Sequence, residues 1–215
     1  MRSRSIEISA VVLGLVAACG GQPTHRAPRA RPAPPATPAA AVAPVAAAPA
    51  PSAACASPEH HQFDFWLGDW DLVVRARQAP GAAEWSEAHG TQHVEAILGG
   101  CAISENFAAD GPGVPWAGKS YSVWQPALAK WRQTWVDDQG GYLAFTGGVE
   151  DGVMALYGEP RQKDGKEIRM RMVFLDVTPT SMRWEWQRTV DGGATWEPQM
   201  VIDYARPAPP PVTGR

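Results

Sequence analysis

From residue 69 to residue 204, hydrophobic and polar positions alternate in short runs that are separated by turn residues. Alternation with a period of two is typical of β-strands with one buried face, and the Pro-Gly and Asp-Gly pairs between the runs are typical of turns. No run has the 3.6-residue period of a long helix. The pattern predicts an all-β fold of roughly ten short antiparallel strands, arranged as an up-and-down barrel or a sandwich.

One late strand shows which of these architectures is favoured. In "SMRWEWQ", residues 181–187, the apolar Met182, Trp184 and Trp186 alternate with charged or polar side chains. A sheet with one apolar and one charged face fits a closed barrel whose outside faces water. Ten strands enclose more space than their own side chains must fill, so we expect an internal cavity that can hold a ligand.

The stretch "FDFWLGDWDL", residues 63–72, opens this pattern and is rich in large aromatic side chains. Gly68 marks the change from a short N-terminal segment into the first strand. Because such side chains are usually buried, we expect the segment to be a short helical plug across one end of the barrel. Trp66 would lie in this plug, and Trp70 would be the first inward residue of the strand. The aspartates between them would face water or cap the turn.

The N-terminus is typical of an export signal. Residues 1–19 combine two arginines, an apolar stretch and the sequence "LVAAC". The apolar stretch is too short to span a membrane, which takes about 20 residues. Small residues before Cys19 resemble a bacterial lipobox, so Cys19 is expected to carry lipid; plain secretion is the alternative. By the same resemblance, Gly20 indicates an outer-membrane lipoprotein in the cell envelope, facing the periplasm or the cell surface.

Composition divides the rest of the chain. Residues 20–57 are a Pro/Ala-rich segment that cannot bury a core and is expected to be a disordered linker, and residues 207–215 a similar tail. The barrel domain is then 58–206.

Up to residue 205, the barrel domain carries 12 Lys and Arg against 21 Asp and Glu, a net charge of −9, compared with −3 for the whole chain. Such an acidic domain is a poor nucleic-acid binder, because neutralising phosphates requires clustered basic residues.

The chain has three cysteines. If Cys19 carries lipid, Cys55 and Cys101 remain, in a compartment that permits disulfides. They form either a bridge between the linker and the domain or two independent thiols. No Cys-x-x-Cys occurs, which argues against a redox role or a structural zinc site.

Several motifs together resemble a secreted bacterial family of unknown function. They are "FDFWLGDWD", "GGCAISE", "KWRQTWVDDQG" and the terminal "DGGATW", and the resemblance spans about residues 63–204. The family is regarded as calycin-like, which implies a lipocalin-type ligand-holding barrel. The segment Gly68 to Trp70 also resembles the Gly-x-Trp that opens the first lipocalin strand, where a basic side chain from a late strand covers the tryptophan. Arg188 or Arg206 would serve here. The family brings no established activity and no catalytic residue.

The string "TVDGGATW", which begins at Thr189, resembles the Asp-box hairpin of sialidases and other propellers. Asp191 caps the amides of the turn, Gly193 takes a positive φ, and Trp196 packs against the base of the hairpin. A propeller needs several such repeats and this chain has one. We therefore interpret the motif as a structural hairpin.

Polar side chains on apolar faces indicate a site in the lumen. In "CAISENF", Glu105 shares a face with hydrophobic residues, where desolvation would raise its pKa unless a partner compensates. In "KWRQTWVDD", Gln133 and Asp137 share a face with two tryptophans, a set that suits a mostly apolar pocket. The alternative is an internal structural hydrogen-bond network. The candidate lumen residues are Glu105, Tyr121, Trp131, Gln133, Trp135, Asp137 and Trp184.

Metal and cofactor sites are not expected. His89 and His93 are about 13 Å apart along one strand, too far to share a metal, and solvent-facing histidines are the usual case. The chain lacks the Gly-x-Ser-x-Gly, His-Glu-x-x-His and phosphate-loop motifs of common hydrolases and nucleotide-binding enzymes.

Three functions remain compatible with these patterns. The leading hypothesis is a lipid-anchored, non-catalytic barrel that holds a small apolar or amphipathic ligand in the cell envelope. The second is an enzyme that uses Glu105 and Asp137 as an acid/base pair. The third is an envelope protein-interaction module. The oligomeric state does not follow from the sequence.

Overall fold

The computed structural model describes residues 52–111 and 116–209. Eleven strands account for most of this part of the chain. They are β1 (Gly68–Arg77), β2 (Trp85–Ile97), β3 (Ala102–Asp110), β4 (Trp116–Gln125), β5 (Lys130–Asp137), β6 (Tyr142–Glu150), β7 (Val153–Gly158), β8 (Arg161–Lys163), β9 (Lys166–Leu175), β10 (Ser181–Thr189) and β11 (Glu197–Ala205). Short 3₁₀ turns lie at Ala53–Cys55, Pro58–His61, Asp64–Trp66, Leu98–Gly100 and Pro126–Leu128.

Ten of these strands close into an antiparallel barrel. Each strand pairs with its neighbour in the order β10-β11-β1-β2-β3-β4-β5-β6-β7-β9, and β10 also pairs with β9, which closes the ring. The short β8 pairs with β9 as an additional strand. The predicted all-β, roughly ten-stranded up-and-down barrel is therefore confirmed.

Alternation along the strands directs the apolar side chains inward. In β1, Trp70, Leu72 and Val74 are buried, whereas Asp69 and Asp71 at alternate positions are exposed. This period of two follows from the pleat of the strand. The described residues contain no helix long and apolar enough to cross a lipid bilayer.

An aromatic plug closes the end of the barrel at which β1 begins. Phe63 is completely buried and makes edge contacts with Trp131 of β5 and Phe174 of β9, at ring-centroid distances of 4.8 and 5.6 Å. Trp66 follows within the 3₁₀ turn, and its carbonyl oxygen accepts a 2.7 Å hydrogen bond from the Trp70 indole nitrogen. The predicted short helical plug therefore has the form of 3₁₀ turns that are tied to the first strand.

Arg206 covers Trp70 from the closed end. Its guanidinium carbon lies 3.4 Å from the Trp70 ring centroid, and one of its nitrogens donates to the Asp69 carbonyl oxygen at 3.1 Å. Gly68 makes this approach possible, because its φ is +104° and a Cβ there would lie 2.8 Å from the guanidinium. Of the two candidates for the covering cation, Arg206 occupies the position, while Arg188 lies on β10 opposite Met170 and Glu197.

A disulfide between Cys55 and Cys101 joins the N-terminal segment to the start of β3. Nearby, the Ser52 amide donates to the Gly99 carbonyl oxygen at 2.7 Å, so the last residues of the predicted linker are held against the barrel. The predicted export signal, the lipid-bearing Cys19, most of the linker and the end of the tail lie outside the described residues.

Removal of this disulfide should lower the stability of the barrel. It closes a loop with a sequence separation of 46 residues, for which the chain-entropy relation gives a contribution of about 4 kcal/mol. We expect a Cys55→Ser, Cys101→Ser double variant to lose about 2 to 4 kcal/mol of unfolding free energy in urea denaturation. An unchanged urea midpoint with an unchanged slope would show that the bridge does not constrain the unfolded chain.

Candidate functional site

A cavity of about 200 Å³ lies inside the barrel above the aromatic plug. It is not sealed, because Trp116 and Leu143, near the ends of their strands opposite the plug, are only half-buried. Fifteen residues line it. They are Trp66, Glu105, Phe107, Trp116, Gln133, Trp135, Asp137, Leu143, Phe145, Met172, Trp184, Trp186, Met200, Ile202 and Tyr204.

Aromatic side chains form two walls of the cavity. On the first wall, Phe107 makes edge contacts with Trp116 at 4.9 Å and with Trp135 at 5.8 Å. On the second, Trp186 stacks on Trp184 at 6.4 Å, and its ring contacts Phe145 edge-on. Phe107, Trp116 and Trp135 lie on the adjacent strands β3, β4 and β5, whereas Trp184 and Trp186 lie on β10, and four strands separate β4 from β10 in either direction round the barrel. The cavity therefore has aromatic surfaces on opposite sides.

A glycine shapes the first wall. Gly118 of β4 is buried, and a Cβ there would lie 2.1 Å from the Trp135 ring. The indole of Trp135 can thus lie against the backbone of the neighbouring strand instead of filling the lumen. Isolated glycines inside strands often mark such close approaches.

Glu105 is the acidic group in the depth of the cavity. Its side chain is buried, with 7% of the residue exposed, and its carboxylate accepts a short hydrogen bond from the Ser120 hydroxyl on β4. Burial raises the pKa of Glu105 to about 7, and the Ser120 hydrogen bond opposes that shift. Glu105 therefore changes its charge near neutral pH, in a buried part of the cavity.

Other polar groups surround this acid. Gln133 donates to the Ser122 hydroxyl at 3.0 Å, and the Tyr204 hydroxyl donates to the Gln92 side-chain oxygen at 3.0 Å. Burial, and secondly the charge of Glu105, raise the pKa of Tyr204 well above its usual value. Within the described part of the chain, the buried indole nitrogen of Trp66 has no hydrogen-bond partner. The floor thus contains a partly satisfied polar network.

Asp137 occupies the rim and is already engaged. Its carboxylate accepts hydrogen bonds from the Trp135 indole at 3.0 Å and from the amides of Gln139 and Gly141 at 3.1 and 2.6 Å. The Trp135 indole, followed by the Gly141 amide, holds the pKa of Asp137 below its usual value. Asp137 therefore remains ionised and shapes the turn between β5 and β6.

Residues 56–206 match the model of a family described as Protein of unknown function (DUF1579). The protein belongs to the DUF1579 family. The match agrees with the expected membership in a domain-of-unknown-function family. No curated protein matches the chain.

Three solved structures are similar to the DUF1579 domain. Rv2717c from M. tuberculosis superposes with a TM-score of 0.51 and 13% identity, covering 71% of this chain and 99% of that one. The S-type phycobiliprotein lyase CPES from Guillardia theta gives 0.44 and 11%, covering 68% and 91%. A de novo designed fluorescence-activating β-barrel gives 0.37 and 12%, covering 67% and 95%. At these identities the likeness concerns the fold alone.

The structure brings most of the candidate lumen residues of the DUF1579 domain together. Glu105, Gln133, Trp135, Asp137 and Trp184 all line the cavity. Their inward direction follows from strand alternation.

Two candidate lumen residues lie elsewhere. Tyr121 is 51% exposed on the outer face, because Ser120 and Ser122 on either side of it point inward, so its assignment to the lumen is wrong. Trp131 points inward but lies at the closed end, where its indole donates to Gln62 at 3.0 Å and its ring packs against Phe63. It supports the plug and does not line the cavity.

Sequence reasoning missed several lining residues. Trp186 is an apolar-face residue that the sequence does not assign to the site, and Met172, Leu143, Phe145 and Tyr204 are not singled out by it. The available signal was the same alternation, extended to every strand. It does not distinguish the part of an inward face that fills space from the part that borders a cavity.

The Asp-box-like hairpin lies between β10 and β11, outside the cavity. The Thr195 amide and hydroxyl donate to the Asp191 carboxylate at 3.0 and 2.6 Å. Hydrogen bonds from the Thr189 and Thr195 hydroxyls hold the pKa of Asp191 far below its usual value. Gly193 has a φ of +101°. The guanidinium carbon of Arg171 lies 4.1 Å from the Trp196 ring centroid. These contacts are those of a structural turn.

The histidines of β2 face solvent. His89 and His93 are exposed, and His93 contacts Asp69 at 2.6 Å. No cluster of three or more His, Cys, Asp or Glu side chains suited to a metal ion occurs among residues 52–111 and 116–209.

The buried acid predicts a pH-dependent stability. The pKa of Glu105 is raised above that of the unfolded chain, so its contribution is fully present below about pH 4.5 and is lost as pH rises through about 7. We expect wild-type protein to lose about 2 to 3 kcal/mol of unfolding free energy between pH 5 and pH 8, relative to Glu105→Gln. Urea denaturation at both pH values measures this difference.

The solvent-facing Glu95 of β2 offers the matched control. Glu95→Gln should leave the pH dependence of wild type unchanged, because Glu95 is exposed. Parallel pH profiles for wild type and Glu105→Gln would contradict a raised pKa at Glu105.

Proposed function

We propose that this protein is a non-catalytic binding protein whose barrel holds a small apolar or amphipathic ligand. The proposal includes its location: a lipid on Cys19 anchors the protein in the cell envelope, and the Pro/Ala-rich segment tethers the barrel to it. What supports the first part is the cavity, and what supports the second is the lipobox-like "LVAAC".

The open lumen is the observation that carries the binding proposal. Most lining residues are aromatic or aliphatic, with few polar groups, which is the usual composition of small-molecule sites. An unfilled apolar space of this kind costs stability, because its lining atoms lack contact partners. A ligand that fills it recovers those contacts.

The volume limits the size of the buried group. A dry apolar cavity of about 150 Å³ holds a benzene molecule, and this cavity is about 200 Å³. It therefore fits a group of one or two fused rings, and the unsealed end leaves space for a substituent. A much larger ligand would have to extend beyond the lumen.

The enzyme alternative is less well supported by the site. An acid/base pair needs two carboxyl groups that can reach the substrate with free lone pairs. Asp137 uses both carboxylate oxygens on the Trp135 indole and on turn amides. Glu105 alone has a pKa suited to proton transfer.

The interaction-module alternative rests on the outer face. Val136 and Tyr142 are exposed cross-strand neighbours on β5 and β6, and Tyr121 is exposed on β4. Nothing in this small group indicates a partner of defined chemistry. The cavity is the more specific feature.

A lumen-filling substitution tests the binding proposal. Ile202 is buried on β11 and lines the cavity, so Ile202→Trp should occupy the space that a ligand needs. With neutral 1-naphthylmethanol as the probe, we expect its affinity in isothermal titration calorimetry to fall by at least about tenfold.

Tyr121→Trp is the matched control, because it adds the same side chain on the outer face. Its affinity for the probe should stay within about twofold of wild type. Equal losses in both variants, or the absence of saturable binding to wild type, would contradict a site in the lumen. Far-ultraviolet circular dichroism of each variant verifies the fold.

The anchor is tested separately in a bacterial host. Full-length protein should incorporate radioactive palmitate and fractionate with membranes, whereas Cys19→Ser should do neither, since the proposed lipid attaches to that thiol. Cys55→Ser is the control for cysteine loss and should still be labelled. Labelling of the Cys19→Ser variant would rule out this site of lipidation.

A further inference from the structure

Among the described residues, no basic side chain lines the lumen around Glu105. Of the fifteen lining residues, Glu105 and Asp137 are acidic, and none is Lys, Arg or His within the described part of the chain. Ser120 is the hydrogen-bond partner that the described residues provide to the Glu105 carboxylate. A buried carboxylate without a counter-ion is costly, and such groups are usually paired. A ligand that carries a positive charge could therefore supply the counter-ion that Glu105 lacks.

This charge pattern excludes some ligands. A carboxylate or phosphate head group would lie near Glu105 with no basic side chain to neutralise it, and like charges at close range oppose each other. Fatty acids and other anionic amphiphiles therefore do not match this lumen. A hydrogen-bond donor or a cation does.

The aromatic walls of the cavity also favour a cationic ligand. Eight of the fifteen lining residues are aromatic, four of them tryptophans in the two walls. The faces of aromatic rings attract cations, and aromatic enclosures are a common recognition element for ammonium groups. An acid beneath two aromatic surfaces combines both attractions.

We propose that the lumen selects a small organic cation, an ammonium group carried on one or two rings, whose charged head pairs with Glu105 and whose ring lies between the aromatic walls. The proposal rests on the proposed function and specifies its ligand class. It assigns Glu105 the role of counter-ion, with Trp135 and Trp186 as the opposing ring contacts.

The pairing makes binding dependent on pH. Glu105 must be ionised to pair with the ammonium, and burial raises its pKa to about 7, so affinity should increase as pH rises from 6 to 8. The other titratable groups in the lining are Tyr204 on β11, which stays neutral because its pKa is raised, and Asp137 on β5, which stays ionised. β4 presents Ser120 to Glu105, and the facing β2 residue is Val94.

Three probes that share one ring system isolate the head group. 1-Naphthylmethylammonium is the cation, 1-naphthylmethanol the neutral analogue and 1-naphthoate the anion. With wild-type protein at pH 8, calorimetry should give an affinity for the cation at least about tenfold above that for the alcohol, with the carboxylate weakest. The preference for the cation should decline towards pH 6.

Glu105→Gln removes the proposed counter-ion. It should lower the affinity for the ammonium by at least about tenfold at pH 8, remove its pH dependence and lower the affinity for the alcohol much less than that for the ammonium. Because this change relieves the cost of a buried charge, the variant should fold. Glu95→Gln, on the outer face, should behave as wild type with all three probes.

The outcomes separate this proposal from the more general one. Equal affinity for cation and alcohol in wild type, or an unchanged affinity for the cation in Glu105→Gln, overturns the selection of cations while binding itself stands. If none of the three probes binds wild type, both proposals fail.

Discussion

The packing of Trp70 between the plug and Arg206 is the contact on which the rest of the barrel depends. The indole donates to the Trp66 carbonyl on one side and is covered by the Arg206 guanidinium on the other. Gly68 makes room for that cation, through its positive φ and its lack of a Cβ. One end of the ten-stranded ring is thus closed by large side chains from a single short segment. Because the plug closes this end, the side chains above it do not have to fill the lumen.

The chemistry of the lumen follows from that division. The plug closes the barrel from below, and burial raises the pKa of Glu105 on the floor of the lumen. Trp135 lies against Gly118 rather than across the lumen, so its ring does not fill the space between the walls. A buried carboxylate without a basic partner and a cavity that the lining side chains do not fill both cost free energy. A ligand with a cationic head and a small ring system would pair with Glu105 and fill the space between the aromatic walls.

The extent to which sequence predicts this structure differs between its parts. Alternation identified the barrel, and strand parity oriented Glu105, Gln133 and Trp184 correctly, because a two-residue period determines the face of each side chain. The assignment of Tyr121 to the lumen failed because β4 directs the small polar Ser120 and Ser122 inward. An aromatic residue suggests burial more strongly than a serine does, but the register of β4 decides which face is buried.

The sequence alone does not predict which distant segments come into contact. The choice of Arg206 over Arg188, and the bridge between Cys55 and Cys101, depend on which segments meet in space. Strand parity likewise cannot show that Trp131 lies beneath the cavity while Trp135 lies beside it, since both face inward on β5. Depth along a barrel axis is set by the stagger between strands, which a single sequence does not display.

The most direct measurement is a crystal structure of the protein grown with 1-naphthylmethylammonium. The account predicts the naphthalene ring between the walls of Trp135 and Trp186, with its nitrogen within about 3 Å of a Glu105 carboxylate oxygen. A lumen filled by the protein's own side chains, or an ammonium group bound at Asp137 with Glu105 unoccupied, would contradict it.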